Sequence, residues 1–284
     1  MTVDFHTHIF PPTLRTQRER YLTIDATFGQ LFSDPRTKLS TAEELLNVMD
    51  RDGVSHAVVM GMGWTDTGLA REVNDYIIDA VRRWPDRLSG FAGVNPAWKD
   101  DAAREADRCA THGLIGIGEL HPDTQSYDLG NEDIMTPVMD VAEERGLIVT
   151  THASEPVGHP YAGKGKTRPE ALWNLILGFP KVTIVCAHWG GGLPFYWLMP
   201  EVANSMCNVY FDTAASPFLY SPTVFTTVAN IIGADRILLA SDYPLMRTVR
   251  VLDELDKSQL SDQQKRAIAS ENAIRLLDLA LSPS

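Results

Sequence analysis

The feature that most constrains this chain is a rhythm: short runs rich in apolar and β-branched residues alternate with helix-patterned segments. The runs fall at 3–8, 57–62, 89–94, 115–120, 147–152, 182–188, 209–214 and 237–242. Most are apolar on both faces, as strands held between a barrel interior and a helical shell must be. Alternation of strand with helix implies parallel strands. A count of eight favours a closed (β/α)8 TIM barrel over an open doubly wound sheet. The 284 residues suit a single barrel domain, which typically needs roughly 250, with modest insertions.

The segments between the runs carry helix punctuation. Residues 41–52 open with a capping-box pattern, Thr41 followed by Glu44, and close at Gly53. Residues 66–84 stop before Pro85, while 101–112 and 131–145 end at Gly113 and Gly146. Residues 170–178 lead into Phe179 and Pro180, 221–232 precede Gly233, and 261–281 form a long amphipathic C-terminal helix. Two stretches fall outside the rhythm: a polar segment with scattered prolines at about 10–40, and a glycine-rich loop at 154–168. Both follow strands, so both are expected on the C-terminal face, where barrel active sites lie, as lid or substrate-binding loops.

Composition narrows the function classes. A net charge of −12 opposes binding to nucleic acid or an anionic membrane. The hydrophobic fraction of 44% and charged fraction of 22% are ordinary for a soluble globular protein, which needs no disulfides to bury its core. Cys109, Cys186 and Cys207 are odd in number and form no CxxC pattern, which argues against disulfides and against a thiolate zinc site. No signal-peptide pattern opens the chain and no apolar run approaches the ~18 residues of a membrane span, so a cytoplasmic protein is expected.

The strand ends carry the chemistry. His6 and His8 stand two apart at the end of the first run, so their imidazoles share one face. Such a pair alone also suits two core or surface histidines. Glu119, His152, His188 and Asp242, however, close the fourth, fifth, sixth and eighth runs. Ionisable groups are costly to bury unless paired or metal-bound, and their convergence at one end of five strands points to a divalent cation. Nitrogen and oxygen donors without thiolate suit zinc first, with manganese, iron or nickel as alternatives. Glu119 is expected to face inward by the alternation Ile115, Ile117, Glu119.

The runs Val3-Asp-Phe-His-Thr-His, Thr151-His-Ala, Ala187-His-Trp-Gly-Gly-Gly and Ala240-Ser-Asp-Tyr-Pro resemble the amidohydrolase superfamily. They resemble most its amidohydrolase-related branch, which includes aminocarboxymuconate-semialdehyde decarboxylase, resorcylate-type decarboxylases and several hydrolases. The resemblance implies that His6, His8, His152 and Asp242 are metal ligands. It makes His188 either a ligand of a second ion or a substrate-polarising residue, and Glu119 a bridge between two ions; beside a single ion Glu119 would instead hydrogen-bond a ligand histidine or the bound water, and the plain alternative is a salt bridge inside the barrel. One or two ions per chain are therefore expected. Decarboxylases of the branch often carry a His-Pro-Trp element after strand 5, where this chain has Ser154-Glu-Pro-Val-Gly-His-Pro.

The leading expectation is therefore a hydrolase of an amide, ester or lactone of a small, carboxylated substrate. A metal lowers the pKa of bound water toward ~7. Asp242 would take the proton of that water, and His188 would polarise the carbonyl. Non-oxidative decarboxylation of an aromatic or unsaturated acid is the alternative, and a non-catalytic metal-binding barrel a third reading. The Glu119 pattern also suggests a nuclease, which the net charge opposes. Lys164, Arg168 and Tyr161 on the second loop are candidates to bind substrate, with a solvated basic loop as the plain alternative. Trp64, Trp189, Phe195, Tyr196 and Tyr243 follow strand ends and suit an apolar pocket wall, core packing or a homo-oligomer interface. Gly190, Gly191 and Gly192 suit close approach to a ligand or a tight turn. His56 and His112 precede strands and read as structural, while His121 and His159 fit either role.

Overall fold

A computed structural model describes residues 1–279. One sheet holds eight strands in chain order: β1 (Val3–His8), β2 (His56–Met60), β3 (Leu88–Ala92), β4 (Gly116–Leu120), β5 (Ile148–Thr151), β6 (Ile184–Cys186), β7 (Val209–Asp212) and β8 (Ile237–Leu238). Every neighbouring pair is parallel. The ring closes through backbone bonds: Phe5 N–H donates to Leu239 O at 2.8 Å, and Asp242 N–H to His6 O at 2.9 Å. The molecule is thus the expected (β/α)8 barrel. Each run forms a strand, although the last shrinks to Ile237–Leu238 because residues 239–242 leave the sheet to reach β1.

The core is layered as a barrel requires. Phe5, Val58, Met60, Phe91, Ile148, Val185 and Leu238 pack inside the ring, with Ala273 of the C-terminal helix. Alternate strand residues, such as Ala57, Ile117, Val149, Ile184 and Phe211, pack outward against helices. The helix Ala42–Asp52 carries its complete capping box and ends at Gly53 with φ 68°. The helices Thr67–Arg83, Asp100–Thr111, Glu132–Arg145, Pro169–Gly178 and Thr223–Ile232 lie within a residue or two of expectation.

Three departures have physical causes. The polar segment 10–40 folds into short helices, Pro12–Thr16, Arg18–Ile24 and Ala26–Phe32, because Leu14, Tyr21, Phe28 and Phe32 bury a shared apolar face there. The helix Thr248–Lys257 was not anticipated; only Thr248, Val251 and Leu255 of it are buried, so its apolar stripe is thin. The C-terminal helix is interrupted by a π-turn at Ala267–Glu271, which lets Leu239 N–H donate to Ile268 O at 3.1 Å and ties the helix to the barrel. Its expected end at residue 281 lies outside the described residues. No helix among the described residues is long and apolar enough to cross a membrane.

Candidate metal centre and active-site cavity

The two ring-facing histidines of β1 owe their position to an extra residue. Asp4 pairs with Ala57 and Thr7 with Val59, so three steps on β1 match two on β2. This bulge lets Phe5 join the interior cluster while His6 and His8 both reach the centre. β4 carries a second bulge, with Ile117 opposite Val149 and Leu120 opposite Thr151. The alternation expected for this strand therefore fails, since Ile117 packs in the outer layer. Glu119 faces inward all the same, because the bulge at Gly118, φ 148°, turns it there.

The imidazoles are oriented from behind. His6 Nδ1 donates to Asp212 Oδ2 at 2.8 Å, His8 Nδ1 to Met60 O at 3.2 Å, and His188 Nδ1 to Ala214 O at 3.0 Å. Each acceptor requires a proton on Nδ1, so the three Nε2 atoms are turned to converge. His6 and His8 Nε2 lie 3.0 Å apart, and Glu119 Oε2 is 3.6 Å and 3.7 Å from them. The other Glu119 oxygen lies 2.9 Å from His152 Nδ1 and 3.3 Å from His188 Nε2. Asp242 Oδ1 approaches His8 Nε2 at 3.3 Å. His188 and Asp242 both hold positive φ, 55° and 66°, a strained geometry typical of functional positions.

Asp212 is the residue that the strand-end pattern should have included. It ends β7 in Val209-Tyr-Phe-Asp, and besides His6 it holds the His188 and Ala214 backbone N–H groups at 2.9 and 3.0 Å.

The electrostatics follow from packing acids against imidazoles away from water. Burial alone would raise Glu119, but the charge of His6 and bonds from His152, His188 and His6 hold it well below the usual carboxylate range. Burial would likewise deprotonate His188, yet its hydrogen bond to Glu119 and the charges of Glu119, Asp242 and Asp212 raise it to about 9. His6 is raised for the same reason, by Asp212 and Glu119 against burial. Asp242 is lowered: burial pushes it up, but His8, His6 and His188 outweigh burial. Two overlapping donor sets result, His6/His8/Glu119 and Glu119/His152/His188, each with its ligand atoms within 4.8 Å of one another. Buried nitrogen and oxygen donors in this arrangement, without thiolate, fit a divalent cation.

Above them opens a cavity of about 760 Å³. Its floor holds His8, Glu119, His152, His188 and Asp242; Phe10, Phe32, Met62, Phe218 and Leu219 wall it, and the loops 10–40 and 154–168 reach its rim. Tyr161 lines it and donates to Glu155 Oε2 at 3.1 Å. The other three substrate-binding candidates are misplaced. Lys164 folds back on its own loop, donating to Val157 O at 2.7 Å, and is not part of the lining. Arg168 caps the helix Pro169–Gly178 with its backbone, exposed to solvent away from the cavity. Trp64 is fully buried between Phe10 and Phe28, joining the 10–40 segment to the barrel. Gly191 makes its close approach to protein, since a Cβ there would lie 2.5 Å from Ser154 O. His56 bonds Ser89 and His112 its own helix, whereas His121 and His159 both line the cavity.

Known proteins share this architecture. The amidohydrolase family profile matches residues 3–279. Gamma-resorcylate decarboxylase of Polaromonas sp. strain JS666 is 23% identical over 254 residues, covering 74% of this chain and 76% of the relative. The 2-amino-3-carboxymuconate-6-semialdehyde decarboxylase of Caenorhabditis elegans is 20% identical over 98% of this chain and 94% of its own. The crystal structure of 5-carboxyvanillate decarboxylase LigW from Sphingomonas paucimobilis superposes with a TM-score of 0.80 at 19% identity, covering 98% of this chain and 99% of that one. A dihydroxybenzoic acid decarboxylase from Polaromonas sp. JS666, with bound manganese and 2-nitroresorcinol, gives 0.75 at 19%, covering 99% and 98%.

These relatives overturn the hydrolase expectation, because they are carboxy-lyases. The Ser154-Glu-Pro-Val-Gly-His-Pro run that favoured hydrolysis departs from the decarboxylase element only in a loop, where sequence drifts most. With the barrel, the strand-end donors and a profile match over nearly its whole length, this enzyme belongs to the amidohydrolase family, in its amidohydrolase-related branch.

Proposed function

We propose that the enzyme is a metal-dependent carboxy-lyase that removes CO2 from a small aromatic acid with a hydroxyl beside the carboxylate. One observation carries the reading: relatives matched along the chain, one of them over 98% of it, are decarboxylases. An apolar, aromatic-walled cavity over an acid–base floor suits such a substrate. His6, His8 and Glu119 would hold the ion, with His152 and His188 on the other Glu119 oxygen. Manganese and zinc both suit these donors, and manganese is supported by the Polaromonas structure. When bound, the ion supplies positive charge that holds the substrate oxygens.

The protein's own groups then move two protons. Asp242, kept as a carboxylate by the surrounding histidines, takes the proton of the ring hydroxyl and makes the ring electron-rich. His188, raised to about 9, hands the proton on Nε2 to the carbon bearing the carboxylate. The C–C bond breaks, its electron pair stays with the ring, and CO2 leaves. Asp242 returns its proton to the ring oxygen, and His188 is reprotonated from solvent, so the net reaction consumes one proton.

Unpaired cysteines, two of them buried, support a reducing compartment such as the cytoplasm. Phe195, Tyr196, Leu198 and Met199, all exposed on one short segment, support self-association.

The test is a panel of 2-hydroxybenzoates and carboxylated lactones given to manganese-loaded enzyme, with CO2 and organic product both quantified. One CO2 per arene is expected, with His188→Gln and Asp242→Asn each lowering kcat by at least ~10²-fold. Lactone opening without CO2, or undiminished CO2 release by His188→Gln, would overturn the proposal.

A further inference from the structure

His121 is an imidazole that neither the core nor the donor sets use. It follows β4 directly, is 2% exposed, and lines the cavity. Its ring lies flat on His152, with centroids 4.2 Å apart and planes within 12°. The backbone is held tightly, His121 N–H donating to Gln125 Oε1 at 2.9 Å and His121 O accepting from Thr124 Oγ1 at 3.1 Å. Gly63 makes the space, since a Cβ there would meet His121 Cβ at 2.5 Å. Gly163 of the second loop passes over Nε2, where an added Cβ would lie 4.0 Å away. That loop is tethered beside the ring, because Thr167 N–H and Oγ1 donate to Asp123 at 3.0 and 2.8 Å.

So orderly a setting leaves one thing undone. Among the described residues neither ring nitrogen of His121 has a hydrogen-bond partner, and Nδ1 is wholly buried. A ring on a cavity wall whose Nε2 meets no protein partner can complete that bond with what occupies the cavity. With Nδ1 shut away, the nitrogen left to meet a ligand is Nε2.

Its direction follows from the barrel. β4 and β8 stand four strands apart either way round the ring, so His121 and Asp242 face the substrate from opposite sides. A benzoate whose carboxylate sits over the centre turns one neighbouring ring position toward Asp242 and the other toward His121. We propose that His121 is a substrate-positioning residue, its Nε2–H donating to an oxygen substituent on the β4 side of the ring. The inference rests on the decarboxylase reading for the substrate class. The residue selects substrates oxygenated on both sides of the carboxylate.

Calorimetric binding to the manganese-loaded protein separates this proposal from turnover. The probes are 2,6-dihydroxybenzoate and 2-hydroxybenzoate, each titrated into wild type, His121→Phe and His121→Asn. Phe keeps the stack on His152 without a donor, and Asn keeps a donor. His121→Phe is expected to weaken the dihydroxy probe by at least about tenfold with little effect on the monohydroxy probe, because a site built to bond an oxygen loses most where that bond is lost. His121→Asn should recover part of the difference, and manganese content should be unchanged in both variants. Equal loss for both probes, a fall in bound manganese, no change in either, or no binding of either probe by wild type would overturn it. Selective loss without CO2 release by wild type would leave the role of His121 standing and sink the lyase reading alone.

Discussion

At the scale of single residues, the centre depends on groups behind the ligands as much as on the ligands. Asp212 accepts the His6 Nδ1 proton and two backbone N–H groups, one of them at His188. Asp212→Asn keeps the shape but sets an amide donor or a neutral oxygen against His6, which weakens control of the tautomer. Manganese affinity measured against a competing chelator should fall about 10–100-fold, the usual cost of losing such an outer partner. Unchanged affinity would show that packing alone orients the His6 ring. Asp242, His188 and Glu119 could be offered as candidates from the sequence because they close strand runs. Asp212 ended a strand too, but the expected strand ran on to 214 and hid it.

At the scale of elements, local irregularities place the donors. In β4 three residues span two of β5, and the turn occurs at Gly118. A Cβ at Gly118 would stand 2.7 Å from Thr150 O, at a φ of 148° that L-residues avoid. Gly118→Ala should therefore lower unfolding free energy by about 1–3 kcal/mol and reduce bound manganese, since Glu119 loses its inward aim. A denaturant midpoint and metal content equal to wild type would refute that assignment. The capping box at Thr41 could be read from four residues because every contact is local. The bulges could not, because a bulge is defined by the register of a partner strand far away in sequence. The helices within 10–40 carry no clear local signal for a related reason: their apolar faces are narrow and are completed only by docking on Trp64 and the barrel.

At the scale of the whole molecule, the barrel gathers acids and imidazoles that repel or neutralise one another according to proton and metal occupancy. A divalent ion on His6, His8 and Glu119 must displace the proton of His6, which Asp212 and Glu119 hold above the ordinary histidine range, whereas His188 keeps its own. Metal affinity should therefore rise as pH climbs past the ordinary histidine range, because binding competes with the proton on His6. Thermal melts with and without excess manganese should show a larger rise in Tm at pH 8.5 than at pH 6, the ion favouring only the folded state. A rise independent of pH would mean that His6 carries no extra proton in the metal-free protein. The strand–helix rhythm, the count of eight and the ionisable strand ends were all present in the chain, because patterning and parallel connection follow from periodicity and short-range sterics. The sequence alone thus determined the barrel, and it offered six donor candidates at the strand ends, five of which the fold gathers into two overlapping sets. Only the tertiary structure decided that Trp64 is core, that Lys164 and Arg168 stand away from the cavity, that Asp212 bonds His6 and that His121 lines the cavity. Those outcomes depend on which loop packs on which strand end, a matter of long-range burial and hydrogen-bond satisfaction that no local pattern encodes.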